Sequence, residues 1–261
     1  MTNDKPARRI VLLGASNLTM AFPRLWGELR RTYSGPIDVF AALGHGRSYG
    51  QWSRVLSREL PGILESQLWA DLRDRPGEPL STQVLLTDVG NDLIYGVPIP
   101  QIVDWVSECL YRLSGPGTEM VLTLLPLHSL DRLSAVRFHL TRMLFFPGLR
   151  TPWSELRAQA HELDQQLRTL SDRLPVNIME PRSEWYGFDP IHIRHTRRRA
   201  AWNEILEGWP SFRDQAALLR PQTPPPRLPR LRPAERRMFG KQELTPQPVA
   251  EFADGSRVSV Y

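Results

Sequence analysis

The stretch RIVLLGA at residues 9–15 is followed directly by Ser16, Asn17, Leu18 and Thr19. A continuous run of aliphatic and small residues is typical of a strand buried on both faces. The residues that follow, about 18–32, have the apolar spacing of an amphipathic helix. A buried strand that runs directly into a helix is the repeating unit of a parallel α/β sheet.

The same alternation continues along the chain. Four further apolar runs are predicted to be strands, at residues 37–43, 83–89, 120–125 and 176–179. Helices are predicted at residues 51–67, 100–113, 134–145, 153–174 and 196–207. We therefore expect a three-layer α/β sandwich, with a parallel sheet of about five strands between two layers of helices. In such sheets the reactive groups collect at the carboxyl ends of the strands.

The positive charge of the chain is concentrated near its C-terminal end. The 261 residues include 33 Lys and Arg against 28 Asp and Glu, a net charge of +5. Residues 220–241 carry more than the whole of this excess, because seven of them are basic and Glu235 alone is acidic. Binding of nucleic acid or another polyanion by this tail is compatible with its charge, but the nearly neutral remainder gives no reason to expect it.

Proline divides the chain into regions. Residues 221–237, PQTPPPRLPRLRPAERR, are predicted to be extended, because proline fixes φ and removes N–H donors. We expect a main domain at 1–210, a basic proline-rich linker at 211–241 and an extended or hairpin segment at 242–261. Asp254 and Gly255 mark the turn of that hairpin.

Other features of the composition exclude several classes of protein. Cys109 is the only cysteine, so neither an internal disulfide nor a thiolate metal cluster can form. The sequence contains no apolar run of the roughly 18 residues that a membrane-spanning helix needs, and no signal-peptide pattern at its start. We expect a cytoplasmic protein with no metal and no cofactor, since no dinucleotide or metal-binding motif is complete.

Polar residues follow three of the predicted strands. Ser16 lies at a strand-to-helix turn, where helix N–H groups can stabilise an oxyanion, although a serine there is more often only a helix cap. Asn91 follows the third strand and offers an uncharged amide donor, although it could also simply stabilise a turn. Asp189 and His192 lie three residues apart in a loop that Pro190 keeps from being helical, so the carboxylate can orient the imidazole as a general base.

This order of Ser16, Asn91, Asp189 and His192 resembles the SGNH (GDSL-type) hydrolases from about residue 10 to residue 209. The resemblance implies an SGNH/flavodoxin-like fold and an ester hydrolase or acyltransferase acting on a small-molecule or carbohydrate ester. It also implies that Ser16 is the nucleophile, His192 the base, Asp189 its orienting carboxylate and Asn91 an oxyanion donor. The family uses a backbone N–H after the second strand as well, for which Gly46 is the first choice here.

The sequence departs from the family pattern at three positions. Ala15 stands where the family usually has Asp before the nucleophile, and Val89 where it has the Gly that opens the Gly-x-Asn-Asp block. Ile193 replaces the usual Pro after the histidine. These departures suggest a remote or specialised member.

Two alternative functions remain open. Residues 46–50, GRSYG, match the Gly-x-Ser-x-Gly elbow of α/β-hydrolases, which would make Ser48 the nucleophile. That alternative gives no role to Asn91, and it does not explain an Asp three residues before the histidine. The other alternative is a non-catalytic protein of this fold that binds partners through its basic, proline-rich tail.

Overall fold

The computed structural model describes residues 8–77, 79–133, 151–217 and 228–261. The predicted helix at 134–145 and the linker residues 218–227 lie outside these ranges. The described strands are β1 (Arg8–Leu13), β2 (Ile37–Ala42), β3 (Ser53–Val55), β4 (Arg58–Leu60), β5 (Thr82–Leu86), β6 (Thr118–Thr123), β7 (Val176–Met179), β8 (Glu235–Met238), β9 (Lys241–Leu244), β10 (Ala250–Glu251) and β11 (Arg257–Val260). The described α-helices are α1 (Ser16–Thr32), α2 (Leu68–Asp74), α3 (Asn91–Ile94), α4 (Ile99–Leu113), α5 (Leu127–Asp131), α6 (Trp153–Arg168), α7 (Arg198–Leu206) and α8 (Pro210–Ala216).

The main sheet confirms the predicted α/β class. In the described residues its strand order is β10-β11-β2-β1-β5-β6-β7, and every neighbouring pair except β10–β11 is parallel. The five strands predicted from their apolar runs form its continuous centre. The sheet has seven strands rather than about five, because the end of the chain adds β11 and β10 beside β2.

The two faces of the sheet are covered by separate hydrophobic cores. Successive residues of β1 alternate between them: Ile10 and Leu12 pack with α1, α7 and α8, whereas Val11 and Leu13 pack with α2, α4 and α6. All four side chains are fully buried. Burial on both faces explains why the strand sequences are continuously apolar rather than alternating.

The prediction of a helix at residues 51–67 is wrong. Strands β3 and β4 form an antiparallel hairpin there, and only a short 3-10 helix, Ile63–Glu65, follows. Strand β4 pairs in turn with β8, which pairs with β9, to make a second, four-stranded sheet. The local pattern could not show this pairing, because β8 comes from the other end of the chain.

The C-terminal segment is built into the main sheet. The hairpin predicted at Asp254 and Gly255 is confirmed, with Gly255 at φ +88° in the turn between β10 and β11. Strand β11 pairs with β2 in the register Val258 opposite Val39. The range expected to be a linker, 211–241, contains regular secondary structure, since most of α8 and all of β8 lie within it. Strand β8 begins after the last proline of this stretch, where backbone N–H donors are available again. The division into domains stays a prediction.

Replacing Val258 with Asp should destabilise the whole domain. Val258 is fully buried in the core that β11 shares with β2, and an unpaired carboxylate there costs at least about 3 kcal/mol. We expect the urea midpoint of unfolding to fall accordingly. Glu251→Ala, on the exposed side of the same hairpin, is the control and should change the free energy of unfolding by less than about 1 kcal/mol. Equal midpoints for the two variants would show that the C-terminal hairpin does not contribute to the sheet.

Candidate active site

Ser16 is the first residue of α1 and lies at the carboxyl end of β1. The turn between the two elements consists of Gly14 and Ala15. A Cβ on Gly14 would lie 2.6 Å from Cγ2 of Thr87, so the close approach of β1 and the end of β5 requires glycine at this position. This arrangement puts the Ser16 hydroxyl at the edge of the sheet where the strands β1 and β5 end together.

The structure brings Ser16, His192 and Asp189 into one hydrogen-bonded chain. Nε2 of His192 lies 2.9 Å from Oγ of Ser16, and Nδ1 of His192 lies 2.6 Å from Oδ2 of Asp189. A carboxylate only accepts hydrogen bonds, so Nδ1 carries the proton and Nε2 is left as the acceptor for the Ser16 hydroxyl. The predicted spacing of three residues between Asp189 and His192 is therefore sufficient for this contact.

Asp189 is held in place by its own loop. Its Oδ1 accepts the backbone N–H groups of Ile191, at 3.0 Å, and His192, at 3.1 Å. Partial burial raises the pKa of Asp189, but the hydrogen bond and charge of His192 and these two N–H groups outweigh it, so the pKa lies below its usual value. The carboxylate stays ionised beside the imidazole at neutral pH.

Asp88 was not predicted to have a role, yet it holds the turn that carries Ser16. Its Oδ2 accepts the backbone N–H groups of Ala15, at 3.0 Å, Asn17, at 3.0 Å, and Leu18, at 3.2 Å. A carboxylate is favoured at the N-terminus of a helix, where the N–H groups lack partners. Within the part of the chain that the structure describes, the N–H of Ser16 itself has no hydrogen-bond partner.

The backbone of Asp88 is unusual as well, since its φ is +61°. Asp and Asn tolerate this left-handed conformation better than other non-glycine residues. The conformation occurs where β5 has ended and places the carboxylate across from α1. An Asp directly after a buried strand is the only sequence signal that could have indicated this role, and it is a weak one.

Asn17 connects the turn that carries Ser16 to the loop that carries His192, which we call the histidine loop. Its Nδ2 donates to Oδ1 of Asp88, at 2.9 Å, and to the carbonyl of Ile191, at 2.8 Å. Its Oδ1 accepts the N–H of Ile193, at 2.9 Å. One side chain thus fixes the residues on both sides of His192 relative to Ser16.

The loop that follows β2 lies near the same edge of the sheet. Gly46 has a φ of +65°, and its carbonyl accepts a hydrogen bond from the Tyr95 hydroxyl. Burial lowers the pKa of the neighbouring His45, and the positive charge of Arg58 lowers it further. The part of Gly46 in an oxyanion hole stays a prediction.

Ser48, the alternative nucleophile, is completely buried. Its Oγ accepts the N–H groups of Gly50, at 3.2 Å, and Gln51, at 3.1 Å. The adjacent Tyr49 N–H donates to the buried Asp92, at 3.0 Å. Burial raises the pKa of Asp92 to about 6, although hydrogen bonds from Ser48 and the Tyr49 N–H partly offset the effect. Ser48 stabilises its loop, while His192 is bonded to Ser16.

Asn91 lies at the start of α3 and lines the same cavity as Ser16. Its Nδ2 is shielded from solvent and has no hydrogen-bond partner in the described residues. An unpaired buried amide donor is costly. It is therefore available to an acceptor that a ligand would bring into the cavity.

Two searches of the described ranges gave negative results. They contain no group of three or more His, Cys, Asp or Glu side chains arranged to hold a metal ion. In the same ranges no helix has both the length and the apolar character needed to cross a membrane.

Comparison with solved structures identifies the fold. A carbohydrate acetylesterase family member from Sinorhizobium meliloti aligns with 80% of this chain and 99% of its own, with a TM-score of 0.50 and 15% sequence identity. The chain has the SGNH-hydrolase fold. A psychrotrophic esterase, EstA, from Pseudoalteromonas sp. also aligns with this SGNH-fold chain, over 77% of it and 95% of EstA, at 14% identity and a TM-score of 0.46.

A third structure, AlinE4, an esterase of the SGNH-hydrolase family, aligns with 83% of this chain and 99% of its own at 14% identity and a TM-score of 0.32. No protein-family model and no curated protein matches the sequence. The α/β fold expected from the sequence resemblance is confirmed by the sheet topology and by the alignment with the Sinorhizobium meliloti structure. The chain has Ala15 directly before Ser16, and Asp88 supplies a carboxylate to the same turn from the end of β5.

Removing the Asp88 carboxylate should loosen this turn. Asp88→Ala loses the hydrogen bonds to three N–H groups and replaces Asp with a residue that tolerates the positive φ less well, so we expect the free energy of unfolding to fall by about 3 kcal/mol. Asp88→Asn keeps one acceptor and tolerates the same φ, so it should lose about half as much. Urea denaturation measures both. Asp74→Ala, at an exposed position on α2, is the control, and a loss no larger than that of the control would show that Asp88 does not hold the turn.

Proposed function

We propose that this protein hydrolyses carboxylic esters by a two-step acyl transfer. The observation that supports it is the hydrogen-bonded chain from Oγ of Ser16 through His192 to Asp189, with distances of 2.9 and 2.6 Å. A hydroxyl in contact with an oriented, unprotonated imidazole nitrogen is the arrangement of an activated serine nucleophile. A binding protein that works through its tail has no need of it.

In the first step Oγ of Ser16 attacks the ester carbonyl while Nε2 of His192 takes the hydroxyl proton. Asp189 accepts a hydrogen bond from Nδ1–H of His192 and stabilises the positive charge that forms on the imidazole. His192 then gives the proton to the leaving alcohol, and the acyl group remains on Ser16. In the second step His192 takes a proton from water, whose oxygen attacks the acyl-enzyme. His192 then returns this proton to Oγ of Ser16 as the bond between Oγ and the acyl carbon breaks and the carboxylic acid leaves.

The oxyanion of each tetrahedral intermediate needs donors that are already in position. The N–H of Ser16 lies at the N-terminus of α1, and Asp88 takes the N–H groups on both sides of it, which leaves this donor unpaired. Nδ2 of Asn91 is a second unpaired donor at the same cavity. The N–H of Gly46 is the third that we propose. Fixed donors in a shielded site lower the barrier because they need no reorganisation during the reaction.

The substrate that we propose is a small-molecule or carbohydrate ester. The similarity to a carbohydrate acetylesterase family member fits this class. Among the described residues that line the cavity beside Ser16 there is no Lys or Arg that would select a phosphate, and hydrolysis by this mechanism needs only water as a second reactant. The cytoplasmic location and the absence of a cofactor stay predictions from the sequence.

Ser16→Ala should abolish ester hydrolysis. Without the nucleophile we expect kcat for short p-nitrophenyl esters to fall at least 10³-fold, and an organophosphonate probe should no longer form an adduct, as detected by intact-protein mass spectrometry. Ser48→Ala is the matched control, because it removes the other candidate hydroxyl, and it should still form the adduct. An adduct that persists in Ser16→Ala and is lost in Ser48→Ala would refute the assignment of the nucleophile.

Asn91→Ala should reduce kcat much more than it changes KM. An amide that binds the oxyanion interacts with the transition state rather than with the bound ester, and removing such a donor costs about 10²- to 10³-fold in kcat. Steady-state kinetics on one p-nitrophenyl ester gives both constants. Asn177→Ala removes an exposed amide that binds the carbonyl of Gly208, and it should leave both constants within about twofold. A rise in KM with kcat unchanged would assign Asn91 to substrate binding instead.

A further inference from the structure

The cavity beside Ser16 is lined mostly by apolar side chains. Its volume is about 130 Å³, more than an acetyl group fills. Its polar lining is confined to a few groups, among them Ser16, Asp88 and Asn91. Pockets for small molecules are mostly apolar, with a few polar groups that fix orientation.

Two apolar walls extend from this polar end. One wall comes from the histidine loop and the residues before it, and includes Pro181, Trp185, Tyr186, Pro190, Ile191 and Ile193. The other comes from α3, α5, α6 and the residues after α5, and includes Leu93, Leu130, Leu133, Trp153, Leu156 and Ala160. A continuous apolar space therefore leads from the nucleophile into the domain.

Several of these side chains are hidden from bulk water although they face the cavity. The exposed fraction is 2% for Trp185, 4% for Leu93, 6% for Leu133 and 9% for Leu156. Apolar groups that line an unfilled space lose dispersion contacts on that side. Sugar hydroxyls in such a space would lose their hydrogen bonds to water, whereas methylene groups would gain contacts. The occupant that fits is a hydrocarbon chain.

The position of the triad indicates which side of the ester the chain belongs to. Ser16 and Asn91 line the cavity, and the proposed mechanism puts the ester carbonyl between them. His192, which must give its proton to the leaving alcohol, is not among the described residues that line it. The alcohol therefore leaves on the histidine side, and the acyl chain extends into the cavity.

We propose that this cavity binds the acyl chain of medium-chain esters and makes the protein selective for them over acetyl esters. The proposal rests on the proposed function, since it takes Ser16 as the nucleophile. Each methylene group that enters an apolar site should raise kcat/KM about fourfold until the chain fills the available length.

The first test uses two series of esters with the wild-type protein. In one series p-nitrophenol is the fixed leaving group and the acyl chain runs from acetate through butyrate, octanoate and decanoate to laurate. In the other the acyl group is always acetyl and the n-alkyl alcohol is lengthened over the same range. We expect kcat/KM to rise steeply in the first series, reaching at least 100-fold above acetate, and to stay within about tenfold in the second. A maximum at acetate, or a steeper rise in the alcohol series, overturns the proposal.

The second test narrows the cavity. Leu130 lies on α5, lines the cavity and is only partly buried, so the larger side chain of Leu130→Trp can be accommodated without disrupting the core. We expect kcat/KM for the decanoate to fall at least tenfold while that for the acetate changes less than twofold. Leu127→Trp is the matched control, because Leu127 lies on the same helix and packs on the same core but is not among the described residues lining the cavity. It should leave the ratio of decanoate to acetate unchanged. If Leu130→Trp and Leu127→Trp have the same ratio of kcat/KM for decanoate to kcat/KM for acetate, the proposal is overturned.

The outcomes separate this proposal from the proposed function. No turnover of any ester together with no organophosphonate adduct at Ser16 means that the proposed function is wrong. Turnover and an adduct at Ser16 without a preference for long acyl chains mean that only the acyl-chain site is wrong. The wild-type series decides this even where Leu130→Trp does not fold.

Discussion

The contact between the Asp88 carboxylate and the start of α1 is the constraint on which the candidate site depends. Three elements meet there: the end of β1, the first turn of α1 and the end of β5. One oxygen of Asp88 accepts the N–H groups of Ala15, Asn17 and Leu18, and the other accepts the Asn17 amide. Hydrogen bonds to a charged acceptor are stronger than neutral ones. The position of the Ser16 hydroxyl relative to the sheet therefore follows from a single side chain.

The same contact positions His192. The Asn17 side chain, held by Asp88, binds the backbone on both sides of His192. Ser16 and His192 are 176 residues apart in the sequence, and this bridge supports the direct hydrogen bond between them. The loop from Asp189 to Ile193 is also fixed by the Asp189 turn and by the burial of Ile193. A rigid distance between Ser16 and His192 is what proton transfer in the first step requires.

The sequence predicts the centre of the fold well, because its signals are local. Strands β1, β2, β5, β6 and β7 are buried on both faces, and that burial requires the continuous apolar runs from which they were predicted. Strands β3 and β8 depend on partners from distant parts of the chain. Residues 51–67 have an apolar spacing that is compatible with a helix, and the pairing of Arg58 with Met238 decides otherwise. Long-range pairing of this kind is absent from any local pattern.

The residues of the candidate site could be proposed from the sequence for a related reason. The residue types and order of Ser16, Asn91, Asp189 and His192 are those that an ester hydrolase needs, and their catalytic roles stay predictions. Asp88 could not, because its role comes from the geometry of two neighbouring strand ends and from a positive φ that no residue type specifies uniquely.

The loop that carries Gly46 shows how distant parts of the chain can contribute to a preorganised site. Arg47 is completely buried, and its Nη1 donates to the carbonyls of Leu43 and Tyr261. Burial lowers the pKa of Arg47 to about 9, so this contact is kept at a considerable desolvation cost. On the other side of the loop, Arg58 of the second sheet donates to the carbonyl of His45.

Both of these hydrogen bonds come from parts of the chain whose strand pairing was not predicted from the sequence. Tyr261 follows β11, which lies between β10 and β2 in the main sheet, and Arg58 begins β4 beside β8. A backbone donor stabilises an oxyanion only if it is fixed before charge develops, since reorganising it during the reaction would cost the energy that it supplies. The C-terminal strands therefore contribute to the proposed chemistry through the loop that they hold, although none of their residues reaches the triad.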